Sequence, residues 1–298
     1  MCSLRKSRNP IMTTTLLAPL FCIALIFSPR IAHSERVPRE QINQKTFSGI
    51  VRCMQGCAIQ DAIDLGMRPT GSQPIFDSRF KCRMIDEGWA IDYSSKRGRE
   101  AMHGGVDIPA PRGTPIYAVA DGTVVAMFDN LQTAVGIRIF LQHSPEQTGK
   151  TFWVYSEYAH LLELPPLTIG QAVKRGDEVG RTSNSGISGA EAHARAGGAS
   201  TKARSRDVNR RDAVHFSIMY SDTADYAILP INGGFLVPVN GRWMDPVAIY
   251  RATPPYDSDS LAGLPDNKKL VSIPFIDASG VLYPDNSKLI WPYSCSPR

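Results

Sequence analysis

Three residues far apart in the chain could together hold a metal ion. His103 and Asp107 bracket two glycines and a valine in HGGVD, and His215 lies downstream in AVHFSI. A catalytic zinc typically takes three protein ligands from His, Asp or Glu and keeps one position for water. The metal lowers that water's pKa toward neutrality and polarises a carbonyl under attack. Gly104 and Gly105 let the backbone bend between the first two ligands, and they argue against a helix there. A further imidazole, His160 in EYAHL, lies between the two ligand segments. Taken alone, a histidine and an aspartate at this spacing form a weak motif.

Other reactive constellations are missing. There is no GxSxG nucleophile elbow, and Cys53 and Cys57 have no nearby histidine, so serine and cysteine hydrolase chemistries are set aside. His143 ends the run IFLQH before a turn, where it is either a substrate contact or, more commonly at such a place, a structural histidine.

The elements that would position these residues read as strands. PIYAVA, TVVAMF, GIRIFLQH and TFWVYSEYAHL carry β-branched and aromatic residues over short spans, with Pro and Gly turn residues between them. PLTIGQAVKRGDEVGRT continues the pattern, and AVHFSIMY and GGFLVPV add further strand. The expected fold is therefore mainly β, an antiparallel sandwich or barrel-like domain over 100–251. Ahead of it, residues 35–99 form a segment with apolar residues at loosely helical spacing (Ile42, Phe47, Ile50, Val51, Met54), expected to pack onto the main domain. Residues 185–212 are small, polar and basic, and read as an inserted exposed loop, either a binding element or a disordered insertion. Residues 252–298 form a C-terminal extension in which VSIPFIDASGVLY suggests a hairpin.

Composition bounds the setting. Residues 1–34 combine Arg5, Lys6 and Arg8, an uncharged apolar run over 11–27, and Ala32-His33-Ser34. This is the pattern of a cleaved signal peptide, so the expected location is exported, periplasmic or secreted, with no stable membrane anchor after cleavage. The chain carries 33 Lys and Arg against 28 Asp and Glu. Four of the basic residues (Arg5, Lys6, Arg8, Arg30) lie in the leader, so the remainder is close to neutral and gives no support for nucleic-acid binding. Cys53, Cys57, Cys82 and Cys295 are left after the leader. In an oxidising compartment they could form two disulfides, with three possible pairings, or less readily a structural zinc site.

HGGVDIPAPRGTPIYAVADGTVV, YAHL, GQAVKRGDEVGRTSNSG, VHF and WMDP occur in that order. The series resembles the lysostaphin-type zinc metalloendopeptidases, the family that includes LytM, over about residues 100–250. The resemblance implies a zinc-dependent enzyme (Zn2+) that cuts peptide bonds in bacterial peptidoglycan, with the site in a groove of a small antiparallel β-fold. It makes His103, Asp107 and His215 the metal ligands and gives His160 a catalytic role, orienting water or stabilising the oxyanion. The chain departs from the family pattern at one place: the first histidine of the H-x-H pair is Ala213. That position is expected to supply a general base or proton shuttle. Its loss implies low activity, replacement by another group such as His193 in the inserted loop, or a non-catalytic wall-binding or regulatory module. The position of residues 35–99 ahead of the site also allows an inhibitory element.

Overall fold

The computed structural model describes residues 36–51, 59–85, 103–186, 211–231 and 233–298. The leader, Cys53 and Cys57, and most of the inserted loop, including His193, lie outside the described residues. Among the described residues, no helix is long and apolar enough to cross a membrane.

Short β-branched and aromatic runs build one sheet of seven strands: β1 (Val106–Pro109), β2 (Gly122–Phe128), β3 (Arg138–His143), β4 (Trp153–Ala159), β5 (Ala172–Val173), β6 (Ala213–Ser221) and β7 (Arg242–Met244). The order is β7-β6-β4-β3-β2-β5, and β1 also pairs with β6. Every pairing in this sheet is antiparallel. Strand β6 is long enough to serve two partners along one edge, β1 against its first half and β7 against its second. Between β3 and β4 the chain makes a single helical turn, Pro145–Thr148. Ser144 and Gln147 form a capping box at its start, and Gly149 at φ 73° ends it.

Side chains alternate across the sheet, and both faces are covered. Val106, Ile108, Val214, Phe216, Ile218, Tyr158 and Leu141 point into the larger core. The strand pair Pro115–Tyr117 and Glu178–Arg181 and the C-terminal extension, with Phe275, Trp291 and Tyr293, enclose that side. Phe140, Tyr155 and Met219 point the other way. They meet the N-terminal segment through Ile42, Ile50, Leu65 and Met67, and the hairpin Tyr226–Leu229/Phe235–Pro238 through Phe235 and Leu236. The helical N-terminal segment expected from sequence is present as Gln44–Thr46, Phe47–Val51 and Ile59–Asp64. The hairpin expected in the C-terminal extension forms between Phe275–Ile276 and Leu282–Tyr283.

The two flanking segments are tied to each other as well as to the sheet. Gln73–Ile75 pairs in parallel with Leu270–Ser272, and Phe80–Lys81 pairs antiparallel with Ser296–Pro297. Next to the second pair, Cys82 and Cys295 form a disulfide across a sequence separation of 213. The sequence left three pairings open, and the structure selects this one for these two residues. A further tie is Asp245, fully buried behind β7. Its carboxylate accepts hydrogen bonds from the Thr70 hydroxyl and from the Val247 N–H at 2.9 Å. Burial pushes its pKa up to about 7, against partial relief from Thr70, Val247 and Ser72.

Two outcomes follow for stability. Closing so long a loop restricts the unfolded chain, so Cys82→Ser is expected to lower the unfolding free energy by about 2–5 kcal/mol. Urea denaturation without reductant measures this, and a loss below about 0.5 kcal/mol would show that the crosslink contributes nothing. Asp245 has a folded pKa above its unfolded value, so the folded state binds the extra proton. Stability from this group is full at about pH 4 and fades as pH rises to about 7. Wild type should therefore lose stability relative to Asp245→Asn across that window and run parallel to it above. Parallel curves throughout would refute the assignment.

Candidate metal centre

The register of β1 against β6 sets Asp107 directly opposite His215. Facing residues in an antiparallel pair share one face with Cβ atoms about 4.5–5.5 Å apart, so the carboxylate and the imidazole must meet. His103 arrives from the loop before β1, and the Gly104-Gly105 bend turns it back over the pair. A Cβ on Gly105 would lie 2.6 Å from the Phe216 carbonyl oxygen and 2.7 Å from His215 Nε2. The backbone therefore runs so close to β6 that only glycine fits there.

Three lone-pair atoms converge as a result. His103 Nε2 lies 3.2 Å from Asp107 Oδ1, His215 Nδ1 lies 3.0 Å from His103 Nε2, and His215 Nδ1 lies 3.2 Å from Asp107 Oδ1. Among the described residues, these three form the group of metal-ligating side chains that could hold an ion. Zinc bonds to His nitrogen and carboxylate oxygen run about 2.0–2.2 Å, so neighbouring ligands of a tetrahedral ion stand about 3.3–3.5 Å apart. The observed edges are a few tenths shorter, within a small outward shift of that shape. Asp107 is buried, which pushes its carboxyl up, but the His103 and His215 imidazoles outweigh burial and hold it well below the usual carboxylate range. The carboxylate is thus ionised, as a ligand must be. Two imidazoles and one carboxylate fit zinc in donor type, number and spacing.

His160 stands beside this set, its ring centroid 5.9 Å from that of His215. The residue is buried and holds a left-handed backbone at φ 61°, costly for a side chain with a Cβ and kept only where the surroundings over-determine it. Four hydrogen bonds do so. Its N–H donates to the Val135 carbonyl at 3.0 Å, and its carbonyl accepts from Ser183 N–H at 3.0 Å and Ser183 Oγ at 2.8 Å. Its Nδ1 lies 2.9 Å from the Ser185 carbonyl oxygen. A carbonyl only accepts, so Nδ1 carries a proton, and in the neutral form of the ring the lone pair is on Nε2.

Ala213 lies on the same strand face as His215, two residues earlier, opposite Pro109. Its methyl is buried where the family pattern expects an imidazole, and its N–H donates to the Ser183 carbonyl at 3.1 Å. His143 is elsewhere. It points into the larger core, on the sheet face opposite the ligands, with Nδ1 2.7 Å from the Asp121 carbonyl oxygen and Nε2 2.7 Å from Ser156 Oγ. Burial pulls its pKa down to about 4, so it is a neutral structural histidine and not a substrate contact.

Sequence reasoning missed two things around the centre. One is the cradle for His160, built from Val135, Ser183 and Ser185; the latter two lie in the GRTSNSG segment noticed only as part of a series. The other is a buried ion pair on the ligand face: Arg138 Nη1 donates to Glu157 Oε1 at 2.9 Å, and Ser217 Oγ to Glu157 Oε2 at 2.8 Å. Arg138 faces Ala159, which in turn faces His215, so the polar floor runs sideways from the ligand row. A buried arginine in a run such as GIRIFLQH carries no separate sequence signal.

Residues 101–224 match the description of Peptidase family M23. Peptidoglycan DD-endopeptidase ShyA of Vibrio cholerae is 36% identical over 117 residues, covering 37% of this chain and 25% of that protein. The match thus spans a quarter of the length of that relative. Among solved structures, a mutant catalytic domain of the prophage-encoded protein EnpA from Enterococcus faecalis is 24% identical, covering 49% of this chain and 85% of that one, at a TM-score of 0.32. The catalytic domain of lysostaphin from Staphylococcus simulans is 20% identical, covering 48% and 84%, also at 0.32. With overlaps of that quality the likeness rests on the family match, whose span holds His103, Asp107 and His215: residues 101–224 match Peptidase family M23.

Proposed function

We propose that this chain is an exported zinc metalloendopeptidase that hydrolyses peptide bonds in bacterial peptidoglycan. The observation that carries the reading is the convergence of His103, Asp107 and His215 inside the M23 domain. The substrate class is supported by the similarity to ShyA, a peptidoglycan DD-endopeptidase. Export is supported by the charged and apolar pattern of residues 1–34 and by the Cys82–Cys295 disulfide, a bond that persists in oxidising compartments.

Zinc held by these three residues would acidify a water and polarise the scissile carbonyl. The remaining steps fall to the chain's own groups. With Nδ1 committed to Ser185, His160 offers Nε2 to take the proton from the attacking water as the new C–O bond forms. The resulting imidazolium donates from the same nitrogen, first toward the tetrahedral oxyanion and then to the leaving amine as the C–N bond breaks. The oxyanion role expected from sequence thus belongs to the protonated ring, after it has acted as base. With Ala213 in place of a second imidazole, one histidine carries both transfers, and the expected activity is low.

Ala213 also favours a second reading, a non-catalytic peptidoglycan-binding or regulatory module that controls another cell-wall hydrolase. The complete ligand set favours the enzyme.

Metal content separates the two first. Purified protein should hold about one zinc per chain, and zinc at a hundredfold over its Kd should add about 2.7 kcal/mol to stability. Asp107→Ala should lose both effects; protein that takes up no zinc would end the metalloenzyme reading. Activity is read as peptide release from purified sacculi. His103→Ala should abolish release, His160→Ala should lower it ~10²–10⁴-fold, and Ala213→His should raise it toward the same range. Binding to sacculi without release, in wild type and Ala213→His alike, would support the regulatory module.

A further inference from the structure

The first ligand is the least supported of the three by regular structure. Asp107 and His215 sit on paired strands, whereas His103 lies in the loop ahead of β1. That loop is nevertheless held from two sides. Gly105 lies against β6, as described, and Gly104 lies against a platform. A Cβ at Gly104 would come within 3.0 Å of Trp243 Cη2 and 3.2 Å of Met67 Cε.

Neither platform residue is free to shift. Trp243 is in β7, paired with Met219 of β6, and is almost wholly buried. Its Nε1–H donates to the Gly49 carbonyl at 3.2 Å, and its backbone N–H donates to the Leu65 carbonyl at 2.8 Å. Gly66 crosses so close that a Cβ there would lie 2.6 Å from the Trp243 carbonyl oxygen. Met67 follows at once, equally buried, its N–H donating to the Ala62 carbonyl at 2.9 Å. The segment ahead of residue 101 thus packs around Trp243, and the Met67 methyl and the Trp243 indole edge together face the glycine next to His103.

We infer that Met67 and Trp243 are positioning residues for the metal centre, setting where His103 stands and hence how tightly the ion is held. A constellation of ligands must be fixed within about 0.5 Å by its supporting shell, and here part of that shell comes from Gly49, Leu65, Gly66 and Met67. On this view the described part of the N-terminal segment buttresses the centre rather than inhibiting it. The inference rests on the zinc reading above.

The test is zinc affinity of the full chain, measured by competition with a chromophoric chelator, together with melting of the metal-free protein. Met67→Ala removes the methyl from one side, and Gly104→Ala pushes the loop off the platform from the other. Both should weaken zinc binding about tenfold or more, the lower end for losses around a metal's ligands. Met67→Leu, which conserves volume, should restore it to within about twofold of wild type. Leu236→Ala, in the same core but not among the atoms approaching Gly104, should lower the metal-free melting temperature and leave zinc affinity unchanged. Wild-type affinity in Met67→Ala would overturn the inference and leave the zinc reading standing, as would an equal loss in Leu236→Ala. A wild type that binds no zinc would overturn both.

Discussion

The pairing of β1 with the first half of β6 is the constraint on which the rest depends. One register places Asp107 opposite His215 and Ala213 opposite Pro109. A slip of one residue would turn the carboxylate into the apolar core and Ile108 toward the groove. Register is enforced by burial. Val106, Ile108, Val214 and Phe216 alternate with the site residues and fill the larger core on the other face. The geometry of the centre is therefore specified by hydrophobic residues that never touch it.

The same logic accounts for the mixture of rigid and strained parts. His215 and Asp107 need no unusual backbone because the strand pair delivers them. His160 sits just past the end of β4, where the chain must turn, and reaches the centre only in a left-handed conformation held by Val135, Ser183 and Ser185. A residue in that conformation is fixed by its neighbours' carbonyls and hydroxyls and not by its own preference. The Ser185 carbonyl also commits its Nδ1 to donating, which leaves Nε2 as the nitrogen that the proposed mechanism uses.

Much of this was legible in the sequence, for identifiable reasons. The strands announced themselves through β-branched and aromatic runs between Gly and Pro turns, and the three side chains that converge were singled out by residue type and order along the chain. The helical N-terminal segment followed from loosely periodic apolar residues such as Ile42 and Ile50. What could not be read depends on contacts between distant residues. No local pattern announces that Cys82 joins Cys295, that the Arg138 guanidinium meets Glu157 across two strands, or that Thr70 lies against Asp245. His143 was ambiguous for a related reason: which face of the sheet it occupies depends on a register that one sequence does not fix.

The unit that is shared among relatives and the unit that folds do not coincide here. The family match ends at residue 224, before β7, the hairpin that caps the smaller core and the whole C-terminal extension. A chain cut to residues 101–224 would keep His103, Asp107 and His215 but lose Phe275, Trp291 and Tyr293 from the larger core and Ile42, Ile50, Leu65, Phe235 and Leu236 from the smaller one. A segment grafted at those boundaries would carry the three converging side chains without the cores that hold their strands in register.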